Sequence, residues 1–572
     1  MYVVKFYRSE DTEYALNAVR SSQIIYASME IALHPSMFTY SGGLGVLAGD
    51  TLRSCADLSM KVSAITLLYR GGYFKQVIRD GRQIEEVEPW DPDAFTTPLP
   101  HARVSLVLEG RTVIVEPRIG IIVGREEAIV PVLFLDTHLE ENDPLDREIT
   151  DHLYGGDQRM RIKQEAVLGI CGKRVLRELG ARSIHTFHMN EGHAAFAPIE
   201  DARYLGRYYG FNRRKIQELV RSMHVFTTHT PVPAGHDRFS YDLVRSVLGG
   251  DDIAWDHLDL GGHRELNMTK LALNLSRYAN GVAQKHGEVS RKMFPGYDIG
   301  AITNGIHLPT WMSPHILELL DSTLPSWRHE PGILKHAYRI IDPLAIEEMH
   351  QRAKRDMICF VKDRTGCELD EGLLTIGFAR RFAPYKRADL IFTDLERFLS
   401  ICEGKVQFVF AGEAHPNDHA GKDILARILA FSRQLEGRVK IAFIEDYNAV
   451  ISQHLVSGCD VWLNNPLPPK EASGTSGMKA AANGVPNLST LDGWWIEGIT
   501  VSPLAGWIIH HRRDGRDELS LYEQLEHVSH VYYDNRPRWR EHQLHALSLA
   551  SYFNTHRMVT EYESKAWSLK LY

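Results

Sequence analysis

The nine-residue stretch Glu471-Ala472-Ser473-Gly474-Thr475-Ser476-Gly477-Met478-Lys479 sets the tightest limit on what this chain can build. A short apolar strand pattern, Asp460-Val461-Trp462-Leu463, leads into it through a Pro-rich turn from Asn464 to Pro469. Ala480-Ala481-Ala482 then opens a helix. Small residues at a strand-to-helix junction leave backbone N–H groups free and let an anion approach them. Thr475 and Ser476 add hydroxyl donors, and Lys479 stands just inside the helix. Strand, anion loop and lysine together suggest a phosphate-bearing cofactor, held by its phosphate and by an imine to Lys479. A Gly/Ser-rich loop with a solvated lysine has the same spacing, so the motif alone leaves both readings open.

Composition narrows the class. A chain of 572 residues can hold two large domains or more. Its formal charge of −8 argues against general nucleic-acid binding, which calls for a basic surface. Six cysteines are scattered without a CxxC pair, as expected of reduced thiols in a cytoplasmic protein. The first residues carry early charges and no long apolar core, so no signal peptide is expected there, and no apolar run reaches membrane-span length. None of the 28 histidines lies in HExxH or another metal-ligand spacing, so no metal is expected.

Two series of alternating strands and helices are legible. In the first, Ser22 to Ser28 reads as a buried strand, followed by the Gly-rich turn Ser41-Gly42-Gly43-Leu44-Gly45 and a helix. This is an anion site or a close helix packing; a dinucleotide fingerprint would need a strand ending in an acid about twenty residues on, and none follows. Alternating stretches between about 102 and 135 suggest a small β insertion made of hairpins. HTFHMNEGH, from His185 to His193, puts Asn190, Glu191 and His193 at a strand's carboxyl end, where open α/β sheets gather ligands. The same residues also suit an ordinary helix cap. The Pro-rich segment from Ser313 to Asp342 reads as an irregular crossover. In the second series, the strand Leu373 to Phe378 leads into Arg380, Arg381, Lys386 and Arg387. Four cations beside an apolar strand call for a bound anion or a solvated turn. The expected organisation is an α/β chain of two Rossmann-like domains facing across a deep cleft: residues 1–325, residues 326–535, and C-terminal helices over 536–572 that return to the first domain.

The wording of these motifs goes further. Asn465-Pro466 with EASGTSGMKAAANGVPNLSTLDGWWIEG, from Glu471 to Gly498, closely resembles the pyridoxal phosphate segment of the α-glucan phosphorylases, the glycogen, starch and maltodextrin phosphorylase family. The resemblance runs from about Ile24 to about Gly498. It implies the GT-B architecture and reversible, retaining phosphorolysis of an α-1,4-glucan to glucose 1-phosphate. It also implies pyridoxal 5'-phosphate on Lys479, the cofactor phosphate acting as general acid/base, and a homo-oligomer, a dimer. Gly474, Thr475, Ser476, Arg380 and Tyr447 would hold the cofactor. Arg381 and Lys386 match the substrate-phosphate ligands, and His229, in VFTTHTPVPAGHD, matches the active-site histidine. Ser41, Gly42, Gly43, Leu44, Asn190, Glu191, His193, Asn304, Glu471 and Ser473 would meet glucan or phosphate.

Two departures stand out. Many shorter bacterial members read AGKAHP where this chain has AGEAHP, so Glu413 replaces a cation. The chain is also shorter than typical members, which implies fewer regulatory and polymer-storage surfaces. A nucleotide-sugar glucosyltransferase on the same fold, or a non-catalytic glucan-binding relative, shares much of the pattern.

Overall fold

The computed structural model describes residues 5–250 and 253–568. Two mostly parallel sheets carry the chain. The first, of eleven strands, is centred on β1 (Ile24–Ser28), β2 (Val62–Leu67), β3 (Arg111–Val123), β4 (Ile129–Asp136), β5 (Thr186–Asn190), β6 (His224–Thr227), β7 (Tyr278–Gly281) and β8 (Gly300–Ala301). The parallel order is β4-β2-β1-β5-β6-β7-β8, with β3 antiparallel to β4 at the edge. β1, β2, β5 and β6 are buried at every position, as strands covered by helices on both faces must be. Their register aligns the carboxyl ends: Asn190 lies between Ser28 and Thr227. The hairpins expected as an insertion are built into this sheet, since β4 pairs in parallel with β2.

The second sheet is parallel throughout. It comprises β9 (Leu374–Ala379), β10 (Val406–Ala411), β11 (Ile441–Ile444), β12 (Val461–Asn464), β13 (Asn487–Thr490) and β14 (Gly506–Ile509), in the order β11-β10-β9-β12-β13-β14. Four helices serve the cleft and the junction between the two halves: α1 (Gly43–Asp57), α2 (Pro343–Thr365), α3 (Thr475–Ala481) and α4 (Thr555–Tyr562).

The crossover is helical rather than irregular. Pro314, Pro331 and Pro343 each stand in the first turn of a helix, one of them α2. A proline's fixed φ and missing N–H suit that first turn, so residues that read as breaks act as starts.

Two segments tie the halves together. The hairpin Lys75–Arg79/Arg82–Glu86 leaves the first domain and lands on the loops after β10 and β11. Gln76 Nε2 donates to Gly412 O at 3.0 Å, and Gln83 bonds both Ala414 N (2.9 Å) and Ala414 O (2.8 Å). The C-terminal segment returns to the first domain. Ser54 of α1 and Thr555 of α4 are 2.6 Å apart at their hydroxyls, and Trp567 Nε1 donates to His188 Nδ1 at 3.0 Å. On the way it runs beside the segment after β8, where Ile306 N donates to Phe553 O and Thr555 N to Ile306 O. Gly305 is needed here: a Cβ would lie 2.2 Å from the Asn554 carbonyl carbon. Among the described residues no helix is long and apolar enough to cross a membrane.

Candidate active site

The carboxyl ends of the second sheet gather the predicted cations around one acid. Arg380 follows β9, Asn464 ends β12, and Glu471 lies in the loop before α3. Arg380 Nη1 donates to Asn464 Oδ1 and Nη2 to Glu471 Oε2, both at 2.7 Å. Lys386 Nζ reaches the same carboxylate at 2.9 and 3.2 Å. Burial alone would raise Glu471; the Arg380 and Lys386 charges outweigh it and hold the carboxyl at about 2. Arg381 differs from Arg380: it remains open to solvent, and no carboxylate pairs with it among the described residues. Tyr73, Tyr385 and Glu413 are its electrostatic neighbours. Glu413 is raised well above the carboxylate range, first by burial and then by Asp446, with Arg381 opposing.

Gly474, at φ +87°, opens α3 without a side-chain cap, leaving the first backbone N–H groups for another acceptor. Ser476 Oγ accepts from Trp462 Nε1 at 3.1 Å, and the buried Ser473 Oγ has no partner. Lys479, one turn in, is 6 % exposed. Its Nζ lies 3.4 Å from the centroid of the Trp311 ring and makes no hydrogen bond or ion pair among the described residues. Burial lowers the ammonium to about 8, with Asp50 opposing and Arg53 assisting. Trp311 donates its indole N–H to Asp50 Oδ2 at 2.7 Å, so the lysine of one domain rests on a residue anchored to α1 of the other. Tyr447 lies partly buried near Arg380 and Glu413, and desolvation pushes its hydroxyl up to about 12.

The first domain supplies the opposite wall. His229 Nε2 is 2.6 Å from Asn190 Oδ1, and the Asn190 amide donates to Ser28 Oγ at 3.1 Å. That chain assigns the imidazole proton to Nε2 and the lone pair to Nδ1. Burial, then the neighbouring His286, His188 and His193, lower His229 to about 3, so the ring is neutral near pH 7. Glu191 holds the segment in place. Its carboxylate accepts from His229 N (2.7 Å), Thr230 Oγ1 (3.0 Å) and Gly192 N (3.0 Å), at a backbone φ of +75°. Such a conformation costs of order 1–3 kcal/mol in a non-glycine residue and persists only where its surroundings fix it.

The Gly-rich turn is organised by a residue the sequence reading did not single out. Glu30 accepts from the N–H groups of Ser41 (2.7 Å) and Gly42 (3.2 Å) and from Tyr154 Oη (2.8 Å). Gly43 and Leu44 begin α1 with no side-chain cap, and around Gly42 and Gly43 the space is open. Gly45 is obligatory: a Cβ there would lie 2.6 Å from Tyr40 Cβ and 2.8 Å from Glu30 Oε2. The only signal for Glu30 was an acid two residues past a buried strand.

His193 faces Asp237 at 3.5 Å, and Glu165 lies beside them, fully buried and raised well above the carboxylate range by burial and by Asp237. Asp237, with Tyr154, Arg161 and Phe239, borders a cavity of about 630 Å³ closed on the other side by His415 and Asn417 of the second domain. Asn304 stands apart. It is 3 % exposed, its backbone carbonyl accepts from Arg557, its buried side-chain oxygen has no hydrogen-bond partner, and no hydrogen bond joins it to His229 or Lys479 among the described residues.

Residues 35–120 and 254–501 match the family described as carbohydrate phosphorylase. The chain belongs to that family. The maltodextrin phosphorylase of Thermococcus litoralis is 40 % identical over 96 % of this chain and 71 % of its own. The glycogen phosphorylase of Mycobacterium tuberculosis H37Rv is 37 % identical over 94 % and 70 %. An uncharacterized protein of Methanocaldococcus jannaschii is 31 % identical over 95 % of this chain and 99 % of its own. The matched regions include the Gly-rich turn, the Arg380–Lys386 cluster and the Lys479 loop.

Proposed function

We propose that this chain is a retaining α-1,4-glucan phosphorylase that uses pyridoxal 5'-phosphate. It would transfer the non-reducing terminal glucosyl unit of a glycogen or maltodextrin to inorganic phosphate. The observation that carries the reading is Lys479: an amine buried in the cleft wall, unpaired, and held at about 8. A lysine with a depressed pKa suits covalent attachment to an aldehyde. The surroundings fit the rest of the group, with an uncapped helix start at Gly474 and a partnerless buried Ser473 hydroxyl beside it. Thr475, Ser476 and the Gly474 backbone would hold the phosphate, with Arg380 and Tyr447 alongside. When bound, the cofactor supplies a phosphate that acts as general acid/base toward the substrate phosphate.

The chain's own residues do the remainder. A C–O bond forms between inorganic phosphate and the anomeric carbon as the glycosidic bond breaks, and the departing glucan 4-oxygen takes up the proton that the phosphate loses. Arg381, without an acidic partner, offers its fork to the incoming phosphate. Lys386 would exchange Glu471 for phosphate oxygens as the substrate enters. The neutral His229, fixed by Asn190 and Glu191, orients the glucosyl unit while its backbone carbonyl faces positive charge developing at the anomeric carbon.

The test is an absorbance spectrum of the purified protein before and after borohydride, with peptide mapping, alongside glucose 1-phosphate release from maltodextrins. A pyridoxyl adduct on Lys479 and phosphate-dependent release are expected. No adduct after incubation with pyridoxal phosphate would overturn the proposal and favour a nucleotide-sugar transferase or a glucan-binding protein.

A further inference from the structure

We propose that Asp57, His307 and His556 form a binding site for one divalent transition-metal ion of the zinc type. The three come from the end of α1, the segment after β8 and the first turn of α4. Asp57 Oδ2 is 3.0 Å from His307 Nε2 and 3.5 Å from His556 Nε2, and all three donor atoms lie within 4.8 Å of one another. Zinc bonds of about 2.0–2.1 Å place neighbouring tetrahedral donors roughly 3.3–3.4 Å apart. The atoms are therefore already near coordination spacing before any ion enters. Two imidazoles and a carboxylate are a donor set for zinc-like ions rather than for magnesium or calcium.

The surrounding contacts orient these donors. His307 Nε2 donates to Asp57 Oδ2 at 3.0 Å here; a metal would displace that proton, and Thr310 Oγ1, 2.7 Å from Nδ1, can accept the ring proton of the other tautomer. Asp57 Oδ1 is occupied by the Arg125 N–H at 2.9 Å, so Oδ2 is the oxygen aimed at the imidazoles. His556 is only 9 % exposed, yet neither of its ring nitrogens makes a hydrogen bond of good geometry. Its one polar neighbour is the Asp57 carboxylate at 3.5 Å, a poorly paired arrangement for a buried ring that an ion between the two would satisfy. Three protein donors leave the fourth tetrahedral position to a water, as in zinc sites with an open position. The competing cation is Arg125, whose Nε lies 3.7 Å from Asp57 Oδ2 and would swing away on metal binding. The ligands are 250 and 249 positions apart in sequence, which is why no metal-ligand spacing shows in the chain.

The test uses the holoenzyme, stripped with a chelator, dialysed, and titrated with zinc chloride by calorimetry and metal analysis. One tightly bound zinc per chain is expected, with affinity at least about tenfold weaker in His556→Asn. At one zinc concentration the melting temperature of the unmodified protein should rise more than that of the variant. Cobalt in place of zinc should give the intense visible bands of a four-coordinate site, a readout that needs no variant to fold. Equal zinc binding by His556→Asn, no stoichiometric binding, or only the weak bands of six-coordinate cobalt would mean an adventitious ion only and overturn the proposal.

Discussion

Lys479 Nζ stands 3.4 Å from the centroid of the Trp311 ring, across the boundary between the two domains. The ring face, with the Asp50 charge beside it, favours the charged amine against a burial that disfavours it. In apoprotein, borohydride trapping of an added aromatic aldehyde at Lys479 should therefore rise with pH around a midpoint of about 8. Trp311→Leu keeps the burial and removes the ring, so the midpoint should move down. An unchanged midpoint would show that the ring does not stabilise the ammonium. The unfolded lysine keeps its proton to higher pH than the folded one. Apoprotein stability should accordingly gain a contribution as pH rises from about 8 toward the unfolded value, and Lys479→Met should lack it.

Glu471 works in the opposite sense. Its folded pKa of about 2 lies below the ordinary carboxylate value. The stability it brings is present above the unfolded pKa and is lost as pH falls toward 2, with a size of about 3 kcal/mol. Glu471→Gln should lower the urea midpoint clearly at pH 7 and by much less near pH 3. A gap of equal size at both values would mean the charge is not what matters.

Glu191 positions His229 through its backbone N–H, so its loss should appear in turnover more than in substrate affinity. In Glu191→Gln one amide nitrogen must face an N–H or hydroxyl donor now served by carboxylate oxygens. A fall in kcat of about 10²-fold is expected from the misplaced segment, with KM for phosphate little changed. Steady-state kinetics on maltodextrin separates the two parameters.

Gln83→Ala would strand the buried Ala414 N–H and carbonyl that the glutamine now serves. Each stranded group costs about 1–3 kcal/mol, and the loop it supports follows Glu413 and the strand carrying the cleft wall. Lower thermal stability is expected, with faster hydrogen exchange in residues 412–416; exchange confined to the hairpin itself would refute this coupling.

What could be read in the chain was local. The strand, small-residue turn and helix around Lys479 are contiguous, and the buried strands ending at Ser28, Asn190 and Thr227 declare themselves by apolar runs. The role of Glu30 could not be read, because its hydrogen bonds to Ser41 and Gly42 depend on how the chain folds back after β1. Trp311 was equally silent: a tryptophan just ahead of the Pro-rich segment says nothing of a lysine 168 residues on. The charges of Arg380, Lys386 and Glu471 were visible as types, whereas their mutual neutralisation in one cluster needed the second sheet's order.

The main chain passes between the domains twice, before α2 and again ahead of α4, and near Ile306 and Asn554 the two passages are hydrogen-bonded to one another. Two separated tethers would permit swinging only about the line joining them, whereas two laced together act as a single short pin. The hairpin carrying Gln76 and Gln83 is a second fastening, made of side-chain hydrogen bonds, and the Lys479–Trp311 contact spans the same boundary.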